Sequence, residues 1–261
     1  MSIKTYALIA KVFFDDEHQG TDAAIFSDAE NYTLNHMQQL AQATHCGASV
    51  FVINHGKNPT VRIFNATNEI QWCGHGLLAA AYYLSLSQSI ENIGLTSDTV
   101  EIAKENGRLW VGFESLPIQQ GIPAEIDDNQ LTQAFSHQPL KVSFVGNENG
   151  YLIMEWSSDF DLAALELDFN KIMEATHRAI IATQKSDDKY HFKLRYFAPY
   201  HGVKEDPATG SANRILALYW QKKLGTNQFV AEQVSAAGGV ILSKVEKNKV
   251  WISGKVKLIK D

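Results

Sequence analysis

Two stretches of this chain are apolar almost all round, and a polar, glycine-containing turn precedes each. Residues 77–84 follow the turn at 74–76 (GHG), and residues 212–218 follow the turn at 209–211 (TGS). A helix without a polar face has to be covered on every side. Because β-type runs surround both stretches, we predict two buried helices, each wrapped by strands.

Alternation of branched or aromatic residues with polar ones predicts the strands. They are expected at 6–13, 49–53, 60–64, 100–104, 108–113, 141–145, 151–155, 179–183, 191–197, 250–252 and 256–259. Residues 34–44 have apolar side chains on one face, which predicts a surface helix. Shorter helices are expected at 129–135 and 170–175.

The order of these elements predicts a pseudo-repeat of α/β (α+β) class. Each half is expected to be a strongly curved β-sheet wrapped around one central buried helix. Residues 116–124 contain two prolines and a glycine and are the predicted connection. The halves are therefore expected at residues 1–116 and 117–253. The final strand, at 254–261, can add to the first half.

Composition excludes several classes of protein. The 261 residues are 45% hydrophobic and 20% charged with a net charge of −6, which is typical of a soluble globular protein and gives no basic surface for nucleic acid. No apolar run approaches the ~20 residues of a membrane span. Two cysteines, Cys46 and Cys73, form no disulfide framework, which favours a reducing cytoplasm. No dinucleotide-binding or phosphate-binding glycine loop and no metal-ligand spacing is present, so neither cofactor nor metal is expected.

The turn before the second helix is a candidate carboxylate site. Free backbone N–H groups at a helix N-terminus bind anions, and Gly210 lets a ligand approach the backbone closely. Thr209 and Ser211 add hydroxyl groups. The simpler alternative is that one of them is an N-cap with no function beyond stability.

The turn before the first helix has a matching design. His75 titrates near neutral pH and lies between Gly74 and Gly76, where we expect it to be exposed to a docked ligand. Cys73 just precedes the helix, whose N-terminal dipole end favours a thiolate. A structural histidine and a buried, unreactive cysteine are the alternatives.

Three segments resemble the PhzF-like (phenazine biosynthesis) isomerases, which share the diaminopimelate epimerase fold. They are residues 37–52 (MQQLAQATHCGASVFV), 61–84 (VRIFNATNEIQWCGHGLLAAAYYL) and 195–212 (RYFAPYHGVKEDPATGSA). The resemblance implies a cofactor-independent isomerase in a biosynthetic process, acting as a homodimer on a small carboxylic acid. It implies that Asp206 and Ser211 orient the substrate while amides near Gly210 bind its carboxylate. The residues 73–76 (CGHG) also resemble the Cys-Gly-Asn-Gly of diaminopimelate epimerases, although the second cysteine of those enzymes has no counterpart near Asp206.

The chain departs from the family pattern where the catalytic acid is expected. The family's glutamate aligns with Ala48, which cannot carry a proton. Cys73 with His75 is the best replacement, and the other candidates are His45, Cys46, Asp22 and Glu205. We therefore expect Cys73, His75 and Asp206 to be catalytic and Gly74, Gly76, Thr209, Gly210 and Ser211 to bind substrate. Two hypotheses remain: an isomerase with altered or reduced catalysis, and a non-catalytic carboxylate-binding protein that retains the cleft.

Overall fold

The computed structural model describes residues 7–70 and 72–259. Tyr6, with which the predicted first strand begins, lies outside the described residues, as do the last two positions of the predicted segment 254–261. No helix among the described residues is long and apolar enough to cross a membrane.

Over the described residues, the first repeat contains seven strands and two helices. Its elements in chain order are β1 (Leu8–Val12), β2 (Thr21–Phe26), α1 (Leu34–Thr44), β3 (Ala48–Asn54), β4 (Thr60–Phe64), α2 (Gly74–Ser85), β5 (Asn92–Gly94), β6 (Thr99–Glu105) and β7 (Arg108–Glu114).

The second repeat has the same layout after a short edge strand and a one-turn helix. Its elements are β8 (Gln119–Gln120), α3 (Asp128–Thr132), β9 (Lys141–Val145), β10 (Tyr151–Trp156), α4 (Phe169–Ala175), β11 (Ala179–Lys185), β12 (Phe192–Phe197), α5 (Gly210–Leu224), β13 (Gln228–Gln233), β14 (Gly239–Glu246), β15 (Lys249–Ser253) and β16 (Val256–Ile259).

Strand pairing establishes the pseudo-symmetry. From β1 to β7 the successive pairs are antiparallel, parallel, antiparallel, parallel, antiparallel and antiparallel. The pairs from β9 to β15 have the same order of directions. β7 pairs with β15, β16 with β1 and β8 with β9, so the described strands form one continuous order. The residue boundaries of the two halves stay a prediction.

The two central helices are buried as predicted. In α2, nine of twelve residues are buried, among them Leu77, Leu78 and Leu84 at 0% exposure. In α5 the first eleven residues are buried or half-buried, and the exposed lysines come only in its last turn. One apolar cluster contains the buried side chains of both helices and continues between the repeats. The two glycine-containing turns are therefore fixed by the core itself.

Smaller clusters cover the outer faces of the sheet. The predicted surface helix forms α1 over the predicted residues, with Thr33 capping its N-terminus and Met37 and Ala41 facing the sheet. α3 and α4 cover the outer face of the second repeat. α1, α3 and α4 therefore lie on the outer faces of the sheet, and α2 and α5 occupy the inner face.

Five strands were missing from the sequence prediction: β2, β5, β8, β13 and β14. β2 is buried on both faces, because Ala23 and Ile25 face the central cluster while Ala24 and Phe26 face the cluster under α1, so it shows no alternation. β13 has the polar Gln233 at an inward position, and β14 has Lys244 in its middle. β5 and β8 are only three and two residues long.

Candidate active site

The N-termini of the two central helices meet. A Cβ added to Gly74 would lie 2.7 Å from the Cα of Gly210, and one added to Gly210 would lie 2.8 Å from the Cα of Gly74. Cβ atoms essentially never approach another heavy atom closer than 3.0 Å, so only glycine fits at either position. The pseudo-two-fold relation of the repeats therefore brings both glycine turns to one place.

Neither helix uses a side chain to cap its first turn. Cys73 and Thr209 occupy the N-cap positions, and neither side chain accepts a bond from the helix backbone. The first-turn N–H groups of both helices, which have no intrahelical partner, thus converge with the positive ends of both helix dipoles. Thr209 thus stands at the N-cap position without capping the helix, since its hydroxyl donates to Asp206 instead.

A Gly210→Ala substitution tests this contact. We expect it to destabilise the fold by about 1–3 kcal/mol, because overpacking forces the helix ends apart, even though alanine is the better helix former. Chemical denaturation measures the change. Gly56→Ala is the matched control: Gly56 is exposed, and its added Cβ would meet only the Asn54 side chain. Equal stability of the two variants would contradict the close approach.

His75 lies in the first turn of α2 and contacts groups from three segments. The Cys73 Sγ is 3.6 Å from its Nδ1 and 3.7 Å from its Nε2, so the sulfur lies beside the ring. The ring also lies against the Gly47 backbone, and the Asp206 carboxyl acts on it electrostatically. Our expectation that His75 is exposed is wrong: it is 6% accessible, because the close approach of the two repeats covers the turn.

This environment keeps His75 protonated. Burial disfavours the imidazolium, but the Cys73 sulfur and the Asp206 carboxylate outweigh burial and raise the pKa of His75 to about 9. The charge therefore contributes to stability in full below the ordinary pKa of 6.5, and this contribution is lost as pH rises through about 9. At neutral pH the site holds a cationic proton donor.

A Cys73→Ser substitution tests the cause of the shift. We expect the His75 titration midpoint to fall from about 9, because serine removes the sulfur that favours the imidazolium. NMR of the histidine ring signals measures the midpoint. Cys46→Ser is the control, since Cys46 packs with the outer cluster under α1. An unchanged midpoint in Cys73→Ser would rule out the sulfur as the cause.

Asp206 faces His75 from the other repeat. Its Oδ2 accepts a hydrogen bond of 2.7 Å from the Thr209 hydroxyl. Burial raises the pKa of the Asp206 carboxyl, although His75 and Thr209 oppose that effect. His75 and Asp206 are thus two interacting groups that both hold protons more tightly than usual.

Three residues that the sequence analysis did not select complete the wall formed by the second repeat. The side chain of Ser211 interacts with the phenol of Tyr151, whose ring centroid is 6.5 Å from that of Tyr196. Burial raises the pKa of both phenols, which remain hydrogen-bond donors. Arg214 lies 5.0 Å from the Trp72 ring and donates to the Glu114 carbonyl, linking the repeats. Tyrosine within a β-type run carries no signal that separates a site residue from an ordinary strand residue.

The other candidate bases are occupied or lie elsewhere. Glu205 forms a two-pronged pair with Arg195, at 2.8 and 2.9 Å. Asp22 is 3.1 Å from the Lys11 ammonium. His45 is exposed at the end of α1 with a φ of 55°. The chain is therefore not extended before β3, and Cys46 packs in the outer cluster while Ala48 packs in the central one.

Ala48 and Cys73 both pack around Gly76. Around the point where a Gly76 Cβ would lie, the Cys73 Sγ is at 3.2 Å and the Ala48 Cβ at 3.3 Å. Ala48 is fully buried at the start of β3. The thiol and the position where the family pattern has glutamate thus both adjoin Gly76. Within the described ranges, no three His, Cys, Asp or Glu side chains are grouped to hold a metal ion.

Comparison with known proteins agrees with this architecture. A family model described as "phenazine biosynthesis-like protein" matches residues 10–259. The chain belongs to the phenazine biosynthesis-like family. A relative from Halalkalibacterium halodurans, named an uncharacterized isomerase, is 29% identical over 253 residues, covering 94% of this chain and 93% of its own.

Solved structures of similar proteins confirm the fold. A phenazine biosynthesis protein of the PhzF family from Enterococcus faecalis has a TM-score of 0.83 at 24% identity, with 98% of each chain covered. A predicted epimerase from Pseudomonas aeruginosa has a TM-score of 0.72 at 20% identity, again with 98% of each chain covered. The family resemblance and the α/β fold expected from the sequence are thus confirmed for this phenazine biosynthesis-like chain.

Proposed function

We propose that this protein is a cofactor-independent isomerase that transfers a proton on a small carboxylic acid. The observation that carries the proposal is the meeting of two uncapped helix N-termini at Gly74 and Gly210, with His75 and Asp206 beside them. Uncapped N–H groups bind a carboxylate, and the paired acids supply protons next to it.

The helix ends explain how a weakly acidic C–H could react. Substrate carboxylate oxygens would accept hydrogen bonds from first-turn amides near Gly210 and Ser211, with those of residues 74–76 on the other side. Negative charge that develops when a proton leaves the adjacent carbon would then be stabilised by fixed dipoles. No reorganisation of the protein is needed at that moment.

Proton transfer would use groups from both repeats. In this scheme the Cys73 thiolate removes the proton from carbon, and its electron pair stays on the substrate. His75 as imidazolium, or Asp206 as carboxylic acid, returns a proton to the opposite face or to a conjugated carbon. The substrate leaves as an isomer, and the proton held by the Cys73 thiol returns to the donor through His75, whose Nδ1 is 3.6 Å from Sγ, which restores the starting state.

The alanine at position 48 agrees with a different proton carrier in this protein. The Cys73 sulfur and the Ala48 methyl both adjoin Gly76, so in this proposal the thiol takes the role that the family pattern gives to glutamate. Half-buried residues, among them Ser211, Tyr151 and Tyr196, lie around this site, and we expect the substrate to reach it from their side.

Solvent isotope exchange tests the proposal. We expect incubation of the protein in D₂O with a panel of small amino and hydroxy acids to replace a C–H proton of one substrate class, detected as loss of its ¹H NMR signal. A protein that binds carboxylates, by calorimetry, but exchanges none of them would be the non-catalytic binder, and the isomerase proposal would be wrong.

A further inference from the structure

Gln233, the last residue of β13, is fully buried and uses its amide at three points on the turn before α5. Its Oε1 accepts from the Thr209 backbone N–H at 2.7 Å. Its Nε2 donates to the Asp206 carbonyl at 2.5 Å and to the Thr209 hydroxyl oxygen at 3.1 Å. The residue therefore contacts both members of the Thr209–Asp206 pair.

The orientation of this amide is fixed by its partners. A backbone N–H can only donate, and a backbone carbonyl can only accept. Rotating the Gln233 amide by 180° would place Nε2 against the Thr209 N–H and Oε1 against the Asp206 carbonyl, which loses both bonds. The group that faces the Thr209 hydroxyl is hence the Nε2 donor.

The orientation of the Gln233 amide sets the direction of the hydrogen bond between Thr209 and Asp206. A hydroxyl has one proton, and its oxygen here accepts from Gln233 Nε2. Among the described residues, the acceptor that the Thr209 proton reaches is Asp206 Oδ2, at 2.7 Å. If Oδ2 carried a proton instead, the Thr209 oxygen could accept it with its second lone pair, but the hydroxyl's own proton would then lose its acceptor at a position where Thr209 is only 3% exposed. Such an unsatisfied buried donor is costly.

We infer that Gln233 and Thr209 form a one-way hydrogen-bond relay that keeps Asp206 Oδ2 an acceptor and confines the exchangeable proton to Oδ1. The relay rests on geometry, and its significance for catalysis rests on the proposed function. Gln233 and Thr209 are positioning residues, because they act through Asp206.

Two further hydrogen bonds hold the turn that carries the Asp206 carboxyl. The Asp206 N–H donates to the Tyr196 carbonyl at 3.0 Å, and the Ser235 hydroxyl donates to the Pro207 carbonyl at 2.7 Å.

The test is the titration of the Asp206 carboxyl, followed by ¹³C NMR and assigned with Asp206→Asn. Thr209→Val is nearly isosteric and removes the donor to Oδ2. Because a hydrogen bond to a charged group favours the ionised form, we expect its loss to raise the Asp206 midpoint by roughly one pH unit or more. Thr209→Ser keeps the hydroxyl and should restore a midpoint close to that of the wild type.

Two further variants separate the relay from general destabilisation. Thr183→Val removes another buried threonine hydroxyl, which bonds the Lys193 carbonyl and the Trp220 indole, and should leave the Asp206 midpoint unchanged. Gln233→Glu replaces the Nε2 donor with an oxygen that competes for the Thr209 proton, so the Asp206 midpoint should rise again. A midpoint that stays at the wild-type value in Thr209→Val would overturn the relay. The titration needs no turnover, so a shifted midpoint in a protein without isotope exchange would support the relay while refuting the proposed isomerase.

Discussion

The Cys73→Ala variant is expected to lose about 10²–10⁴-fold of the wild-type rate of C–H isotope exchange, which is the usual contribution of one positioned proton carrier. Cys73 is 6% exposed and touches the His75 ring, so its removal deletes the base without opening the fold. The exchange rate in D₂O, followed by ¹H NMR at saturating substrate, measures the effect. The affinity for the carboxylate should change little, since the helix amides remain.

Cys46→Ala is the matched control for that experiment. Cys46 is the other cysteine of the chain and packs under α1, in the outer cluster. We expect its replacement to leave the exchange rate near the wild-type value. Equal rates for wild type and Cys73→Ala would show that the thiol is not the base.

A carboxylate placed at position 48 should restore part of the lost exchange. Ala48→Glu, introduced into the Cys73→Ala background, puts an acid near the space that the sulfur occupied, since the Ala48 Cβ and the Cys73 Sγ both adjoin Gly76. We expect the exchange rate to recover by at least about tenfold, within the range of general acid–base catalysis. Burial raises the pKa of a carboxyl at this position above that of a solvent-exposed glutamate. The rescued variant should therefore need a higher pH to reach its full exchange rate.

Ala48→Gln in the same Cys73→Ala background is the control for size and polarity. It should fold like the glutamate variant and recover no exchange, because an amide cannot act as the base. Recovery with glutamine would attribute the rescue to packing. If the Ala48→Glu variant folds and binds the carboxylate but recovers no exchange, the result would contradict the claim that a carboxyl at position 48 and the Cys73 thiol reach the same atom of the substrate.

Local sequence signals predicted the elements that frame the site. The runs at 77–84 and 212–218, which are apolar almost all round, identified α2 and α5, since a helix without a polar face has to be buried in a globular protein. The pairing of the glycine turns followed from their similar design. Their contact, with Gly74 against Gly210, depends on the pseudo-symmetric sheet and appears in no single segment.

Long-range contacts explain what sequence analysis missed. Gln233 meets Asp206 and Thr209 from more than twenty residues away, and its inward polar side chain also obscured β13. Tyr151, on β10, meets Ser211, at the start of α5, which is likewise distant in sequence. One dihedral angle separates Cys46 from the central cluster: the left-handed conformation of His45 ends α1, so the chain is not extended before Ala48.

A crystal structure with a bound carboxylate tests the central claim most directly. Citrate or tartrate, supplied at a concentration that saturates binding in solution, should place a carboxylate at the junction of α2 and α5. Its oxygens should lie within hydrogen-bonding distance of first-turn amides near Gly74 and Gly210 and close to His75 and Asp206. A saturated protein with the carboxylate bound elsewhere, and with both helix ends accessible but empty, would contradict a single site built from the two halves.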